Sequence, residues 1–184
     1  MAASASEPEL FWFEPTHRGV LPVGGVHVSR SMRQLLRQSR WQASIDRDFM
    51  GVVKGCADRD ETWINADLHR VYGDLFRMGR AHSLEVFDGD QMVGGVFGLT
   101  IGAGFFGESM FSRITDASKV ALAHLVAYLK HSGFVLLDTQ FVTEHLQTFG
   151  VEEVPREEFQ LRLAAAMEVE AQFGSGVGAA GAAG

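Results

Sequence analysis

The 184-residue chain is the length of one domain, and its 46% apolar and 21% charged residues are those of an ordinary globular protein able to bury a sizeable core. A net charge of −7 excludes a protein that coats nucleic acid indiscriminately, and a single cysteine, Cys56, excludes an internal disulfide framework. The opening MAASASEPE lacks the positive and apolar regions of a secretory signal, and the weakly polar stretch from Val93 to Phe106 is short for a membrane span. A cytoplasmic, reducing environment is the expectation.

Taken in chain order, residues 1–9 and the tail 173–184, ending GSGVGAAGAAG, are too small-sided or polar to build a core and are expected to be disordered. A single unit is expected over 10–172. Ser29 to Arg40 carries Met32, Leu35 and Leu36 on one side of a helix. Asp46 is the expected N-cap of a helix with Phe49, Val52, Val53 and Cys56 at i, i+3, i+4 and i+7. Leu68, Val71, Tyr72 and Leu75 repeat the pattern, and Gly79 ends it. A meander follows: Ser83 to Phe87, Met92 to Leu99 and Phe105 to Phe111 as strands, with turns at Asp88-Gly89-Asp90 and Gly102-Ala103-Gly104. Next come a helix from Asp116 to Lys130, stopped by Gly133, a short strand from Phe134 to Asp138, and a helix starting near Pro155. This order predicts an α+β fold with a mixed, mostly antiparallel sheet flanked by helices.

The segment from Thr16 to Ile45 holds five arginines, two histidines and no acidic residue. In the helix, Arg30, Arg33, Arg37 and Arg40 fall within about 80° of one another, opposite the apolar stripe. Such a row is either a solvated face or a contact for a polyanion, whose phosphates suit forked guanidinium donors. Glu108, in GFFGESMF, alternates onto the strand face of Phe106 and Met110, which makes it either a carboxylate at a buried site or an exposed one with incidental apolar neighbours. Asp138, in LLDTQ, ends an apolar run where a strand leaves the core, and Gln140 shares its face; the alternative is an aspartate capping the next turn. The histidines show no metal-ligand spacing, Cys56 lies on an apolar helix face, and Ser109 is not in a nucleophile elbow, so neither a metal nor a cofactor is expected.

Six segments together resemble the leucyl/phenylalanyl-tRNA–protein transferases: FWFEPTHRGVLP, HVSRSMRQLLR, VVKGCADRDETWI, GRAHSLEVFDGDQMVGGVFG, GESMFSRITDASKVAL and LLDTQFVTEHLQTFGVEEVPR. They cover about residues 10–160 in uninterrupted order, and GESMFSR followed by DASK and LDTQ is the specific part. The resemblance implies a core like that of the GCN5-related acetyltransferases. It implies an enzyme that moves leucine, phenylalanine or methionine from aminoacyl-tRNA onto proteins beginning with lysine or arginine, marking them for N-end-rule degradation. A monomer, without membrane or metal, is the expectation.

By the same resemblance Asp138, Gln140 and Glu108 fall in the catalytic segments. Asp138 would accept or relay the amine proton, Gln140 orient the amine or a carbonyl, and Glu108 hold the positive end of a substrate. Phe106, Met110, Val96 and Leu125 match the apolar amino-acid pocket; many family members have methionine where this chain has Val96. Trp63 and Tyr72 match positions at the tRNA 3′ end, and Arg30, Arg33, Arg37 and Arg40 become the acceptor-stem contact. About ten residues precede the WFEP-like segment, where family members usually carry an extension, so the expectation is either a short N-terminal form or a chain without the family's small N-terminal subdomain. Three other activities fit parts of the pattern: a transferase acting on acidic N-termini, a silent tRNA-binding module, and an acetyl-CoA-dependent acetyltransferase. The last lacks its expected glycine-rich pyrophosphate loop.

Overall fold

The structure is a computed structural model and describes residues 14–24, 29–38 and 41–174. Arg40, the stretch 1–9 and residues 175–184 of the glycine-alanine tail therefore lie outside the described residues. In chain order the elements are β1 (His17–Leu21), α1 (Arg30–Gln38), β2 (Gln42–Ile45), α2 (Phe49–Ala57), α3 (Ala66–Arg77), β3 (Ala81–Asp88), β4 (Gln91–Ile101), β5 (Gly104–Ser112), α4 (Ala117–His131), β6 (Leu136–Gln140), α5 (Glu144–Gln147), β7 (Glu152–Pro155) and α6 (Arg156–Met167).

Among the described residues seven strands form one sheet in the order β2-β3-β4-β5-β6-β1-β7. Every neighbouring pair is antiparallel except β5 and β6, which run parallel. The architecture is thus mixed α and β, a mostly antiparallel sheet flanked by helices. On one face α4 and α1 bury Leu84, Val96, Phe105, Leu125, Leu129 and Leu137. On the other, α2 and α3 cover Phe97 and Phe111, and α6 covers Val20, Leu136 and Val154 at the far end.

The expected helices form, with sharper ends. Ser29 Oγ accepts from the Met32 amide (3.1 Å) and so starts α1. The α2 cap is Asp48, not Asp46: its carboxylate accepts from Gly51 N (2.9 Å). Asp46 instead adopts a left-handed backbone (φ 53°) and accepts from the Ser83 amide (2.8 Å), with its other oxygen 2.8 Å from His82 Nδ1. Asn65 caps α3 through Leu68 N (2.9 Å), and Gly79 (φ 66°) ends its run.

Four elements, β1, β2, β7 and α5, carry no clear period in the sequence; they are four or five residues long. β6 starts two residues later than expected and extends to Gln140. Phe173, assigned above to the tail, packs its ring on His82 (4.3 Å between centroids), Tyr128 (4.8 Å) and Phe105 (5.7 Å), so the packed chain runs past 172.

β3 is buried on both faces, so Ser83 and Glu85 enter the interior. The Glu85 carboxyl accepts from Ser83 Oγ (2.5 Å), Ser44 Oγ (2.7 Å) and the Asp48 amide (3.3 Å), tying β2 and the start of α2 to the central strand. Burial pushes its pKa up, partly offset by those donors.

Candidate active site at the parting of two strands

The parallel pairing of β5 and β6 runs from Gly104↔Leu136 to Phe106↔Asp138 and then stops, although β5 continues to Ser112. Two irregularities drive the strands apart. In β5, Gly107 pairs with Gly98 and Ser109 with Phe97, which leaves Glu108 as an extra, bulged residue. The bulge needs Gly98, because a Cβ there would lie 2.2 Å from the Phe106 carbonyl oxygen. In β6, Val20 opposes Asp138 and Gly19 opposes Gln140, leaving Thr139 extra. Gln140 then takes a left-handed backbone (φ 64°), which costs a non-glycine residue about 1–3 kcal/mol.

The β5 bulge corrects one expectation. Regular alternation would put Phe106, Glu108 and Met110 on a single face, but the extra residue reverses the alternation between them. Phe106 joins the cluster of Val20, Leu136, Val154 and Phe159 under α6, and Met110 packs on the α4 side. A small cleft, partly open to solvent, lies where the strands part. Val96, Met110 and Leu125 line it with Leu122, Leu137 and Leu146, and Phe106 does not. Gly107, Glu108, Ser109 and Thr139 form its polar edge.

Asp138 is fully buried. Its Oδ2 is paired with Arg18 Nη2, and its Oδ1 accepts from the Gln140 amide (2.8 Å). The Gln140 side chain crosses the gap and donates from Nε2 to the Gly107 carbonyl (3.2 Å). Arg18 comes from β1 and lies over the Phe159 ring of α6 (4.8 Å). Its Nε is buried without an acceptor, which costs about 1–3 kcal/mol. Arg18 therefore turns inward to Asp138, although it shares the arginine-rich segment with the α1 row. Breaking such a buried pair costs about 3–5 kcal/mol.

Glu108 accepts from the Tyr72 hydroxyl (2.9 Å). Burial pushes the Glu108 pKa up; the Tyr72 bond pulls it back, nearby Asp138 pushes it up further, and Arg18 lowers it. Tyr72 is itself buried, edge-on to Phe97 (4.9 Å) and Trp63 (6.3 Å), so its ring offers no open face for a base. Trp63 is half-buried beside it. Arg59, which sequence reasoning did not single out, lies in the loop between α2 and α3 and donates to Ser109 Oγ (3.2 Å) and the Met110 carbonyl (3.0 Å). Burial pushes the Cys56 thiol up to about 12, which keeps it protonated at neutral pH and suits a core residue.

Arg30, Arg33 and Arg37 are exposed and, with Gln34, line an open groove on α1, while Met32 is buried beneath. Among the described residues no group of three or more His, Cys, Asp or Glu side chains could hold a metal ion, and no helix is long and apolar enough to cross a membrane.

Residues 20–164 match the family model described as leucyl/phenylalanyl-tRNA protein transferase. The chain belongs to that family. It is 58% identical over 173 residues to the leucyl/phenylalanyl-tRNA–protein transferase of Paracoccus denitrificans and 53% identical to that of Ruegeria pomeroyi, in each case covering 94% of this chain and 82% of the relative. The relative from Rhodospirillum rubrum is 51% identical over 177 residues. A solved structure of a functionally unknown protein from Staphylococcus epidermidis is similar at a TM-score of 0.48 and 10% identity, covering 76% of this chain and 57% of that one. In this transferase family member, GESMFSR forms the bulged second half of β5 and the residue after it, DASK opens α4, and LDTQ is the end of β6.

Proposed function

We propose that this chain moves leucine, phenylalanine or methionine from aminoacyl-tRNA to the N-terminal amine of proteins beginning with lysine or arginine. The observation that carries the reading is the meeting, at one strand gap, of an apolar cleft with Glu108, Asp138 and Gln140. An aminoacyl-tRNA is an activated ester, so transfer to an amine requires orientation, proton management and stabilisation of the tetrahedral oxyanion. The acceptor nitrogen attacks the ester carbonyl carbon, the C–N bond forms, and the bond to the ribose oxygen breaks. The proton lost by the amine ends on that oxygen.

In this reading the donor side chain enters the cleft between Val96, Met110 and Leu125, where an unbranched methionine adapts to leucine and phenylalanine alike. Glu108 holds the positive end of a substrate. Gln140 turns its amide toward the reacting carbonyl or amine, and Asp138, engaged through both oxygens, orients Gln140 and accepts or relays the proton. Trp63 stacks on the terminal adenine, and Arg30, Arg33 and Arg37 take the acceptor-stem phosphates. The parallel β5–β6 pair, which parts beyond Phe106 and Asp138, supports a core like that of the GCN5-related acetyltransferases. Cytoplasmic action and N-end-rule marking of the products complete the proposal.

The test is acceptor and donor profiling. Purified protein, charged with leucyl-, phenylalanyl- or isoleucyl-tRNA, is offered peptides beginning Arg, Lys, Asp or Ala. Transfer of leucine and phenylalanine to Arg and Lys peptides is expected; transfer to Asp peptides, or none at all, would contradict the assignment.

A further inference from the structure

The three polar residues at the strand gap do not stand by themselves. Asp138 sits at the end of an apolar run with no solvent around it, yet the sequence around it supplies no cation. The counter-charge arrives from 120 positions away, on the first described strand: Arg18 pairs with Asp138 Oδ2, leaving Oδ1 for the Gln140 amide. Three features define where that guanidinium lies. β1 brings it beside β6, where Gly19 permits the close approach, since a Cβ there would lie 2.6 Å from Thr139 Oγ1. Phe159 of α6 lies against its flat face. Arg156, at the start of α6, donates to the carbonyls of Glu14 (2.9 Å) and Pro15 (3.1 Å), clamping the strand that carries it.

We infer that Arg18 is a positioning residue of the transfer reaction: its guanidinium turns the Asp138 carboxylate so that Asp138 holds Gln140 in its left-handed conformation with the side-chain amide across the strand gap. The inference rests on the aminoacyl-transfer reading above. The chain of contacts is continuous, from Phe159 to Arg18, from Arg18 to Asp138, from Asp138 to the Gln140 backbone, and from Gln140 to Gly107. A planar fork fits this task because it engages one carboxylate oxygen while its face rests on a ring; an ammonium group keeps the charge but neither the plane nor the stacking. Arg18 also acts on Glu108 through space, and so balances the two carboxylates that flank the gap.

The test uses the full chain with leucyl-tRNA and an Arg-initiated peptide, comparing wild type with Arg18→Lys and Arg18→Ala. Both variants are expected to lose about 10- to 100-fold in kcat, because misplacing a reacting group by about an ångström has that effect, while tRNA affinity and the KM for peptide stay near wild type. Methylguanidine is expected to restore part of the rate to Arg18→Ala and to leave wild type unchanged. The groups facing Glu108 are Tyr72 from α3, Asp138 from β6 and Arg18 from β1, so removing Arg18 is expected to move the acid limb of the pH–rate profile upward in the alanine variant and not in the lysine variant. If Arg18→Ala unfolds, the lysine variant decides: a kcat within about twofold of wild type overturns the inference. Failure of wild type to transfer would overturn the aminoacyl-transfer reading and this inference with it; wild-type transfer with an indifferent Arg18 would overturn the inference alone.

Discussion

The side-chain amide of Gln140 reaches across the gap between β6 and β5 to the carbonyl of Gly107, 3.2 Å away, at the point where the two strands cease to pair. One residue at φ 64° thus spans the opening in which donor and acceptor are proposed to meet.

That conformation separates stability from rate. Gln140→Gly relieves the left-handed strain and is expected to raise stability by about 1 kcal/mol over Gln140→Ala, measured by urea unfolding. Both variants are expected to lose about 100-fold or more in kcat, since both lack the amide. A glycine variant that keeps its rate would remove Gln140 from the mechanism.

Glu108 carries a pH prediction with a definite sign. Its pKa is raised in the folded protein, so the ionised form is lost on acidification earlier than for an ordinary glutamate. Transfer that needs the Glu108 anion should fall as pH drops through a point above the usual carboxylate range. Tyr72→Phe removes a donor that favours the anion and should move that limb further upward. An unchanged limb in initial-rate profiles would show that another group sets it.

The α1 arginines should act through binding alone. Arg33→Gln and Arg37→Gln are each expected to weaken tRNA binding and to reduce the slope of log affinity against log salt by about 1, with kcat at saturating tRNA unchanged. Filter binding at several salt concentrations gives both quantities. A slope equal to that of wild type would make the row a solvated face.

Val96 sits directly across from Met110 in the β4–β5 pairing and lines the cleft with it. Val96→Met fills space there and should lower phenylalanine transfer relative to leucine by about tenfold, a typical effect of bulk in an apolar pocket. The ratio of kcat/KM for the two donors measures it, and an unaltered ratio would put the donor side chain elsewhere.

Long periodic segments were legible in the sequence. α2, α3 and α4, and the β3–β4–β5 meander with its glycine turns, follow from apolar spacing and local turn chemistry. β1, β2 and β7 are too short to show a period, and their place in the sheet is set by pairing with residues far along the chain, such as Gly19 with Gln140. The site was legible in part. Glu108, Val96, Met110 and Leu125 line one cleft at the strand gap that Gln140 spans, whereas Phe106 turns to the opposite face, because alternation cannot foresee a bulge at Glu108. Arg18 stood out only as one of five arginines in a basic segment, since nothing local distinguishes an inward arginine from an outward one. Tyr72 shows the same limit: its helix position was clear, but its hydroxyl bond to Glu108 depends on how α3 lies on β5.

The most direct measurement is single-turnover transfer of labelled leucine from leucyl-tRNA to an Arg-initiated peptide, by wild type and by Asp138→Asn, with tRNA binding followed in parallel. The account predicts transfer by wild type, a loss of about 100-fold or more in Asp138→Asn, and equal tRNA affinity in both. Equal transfer rates in the two proteins would contradict it.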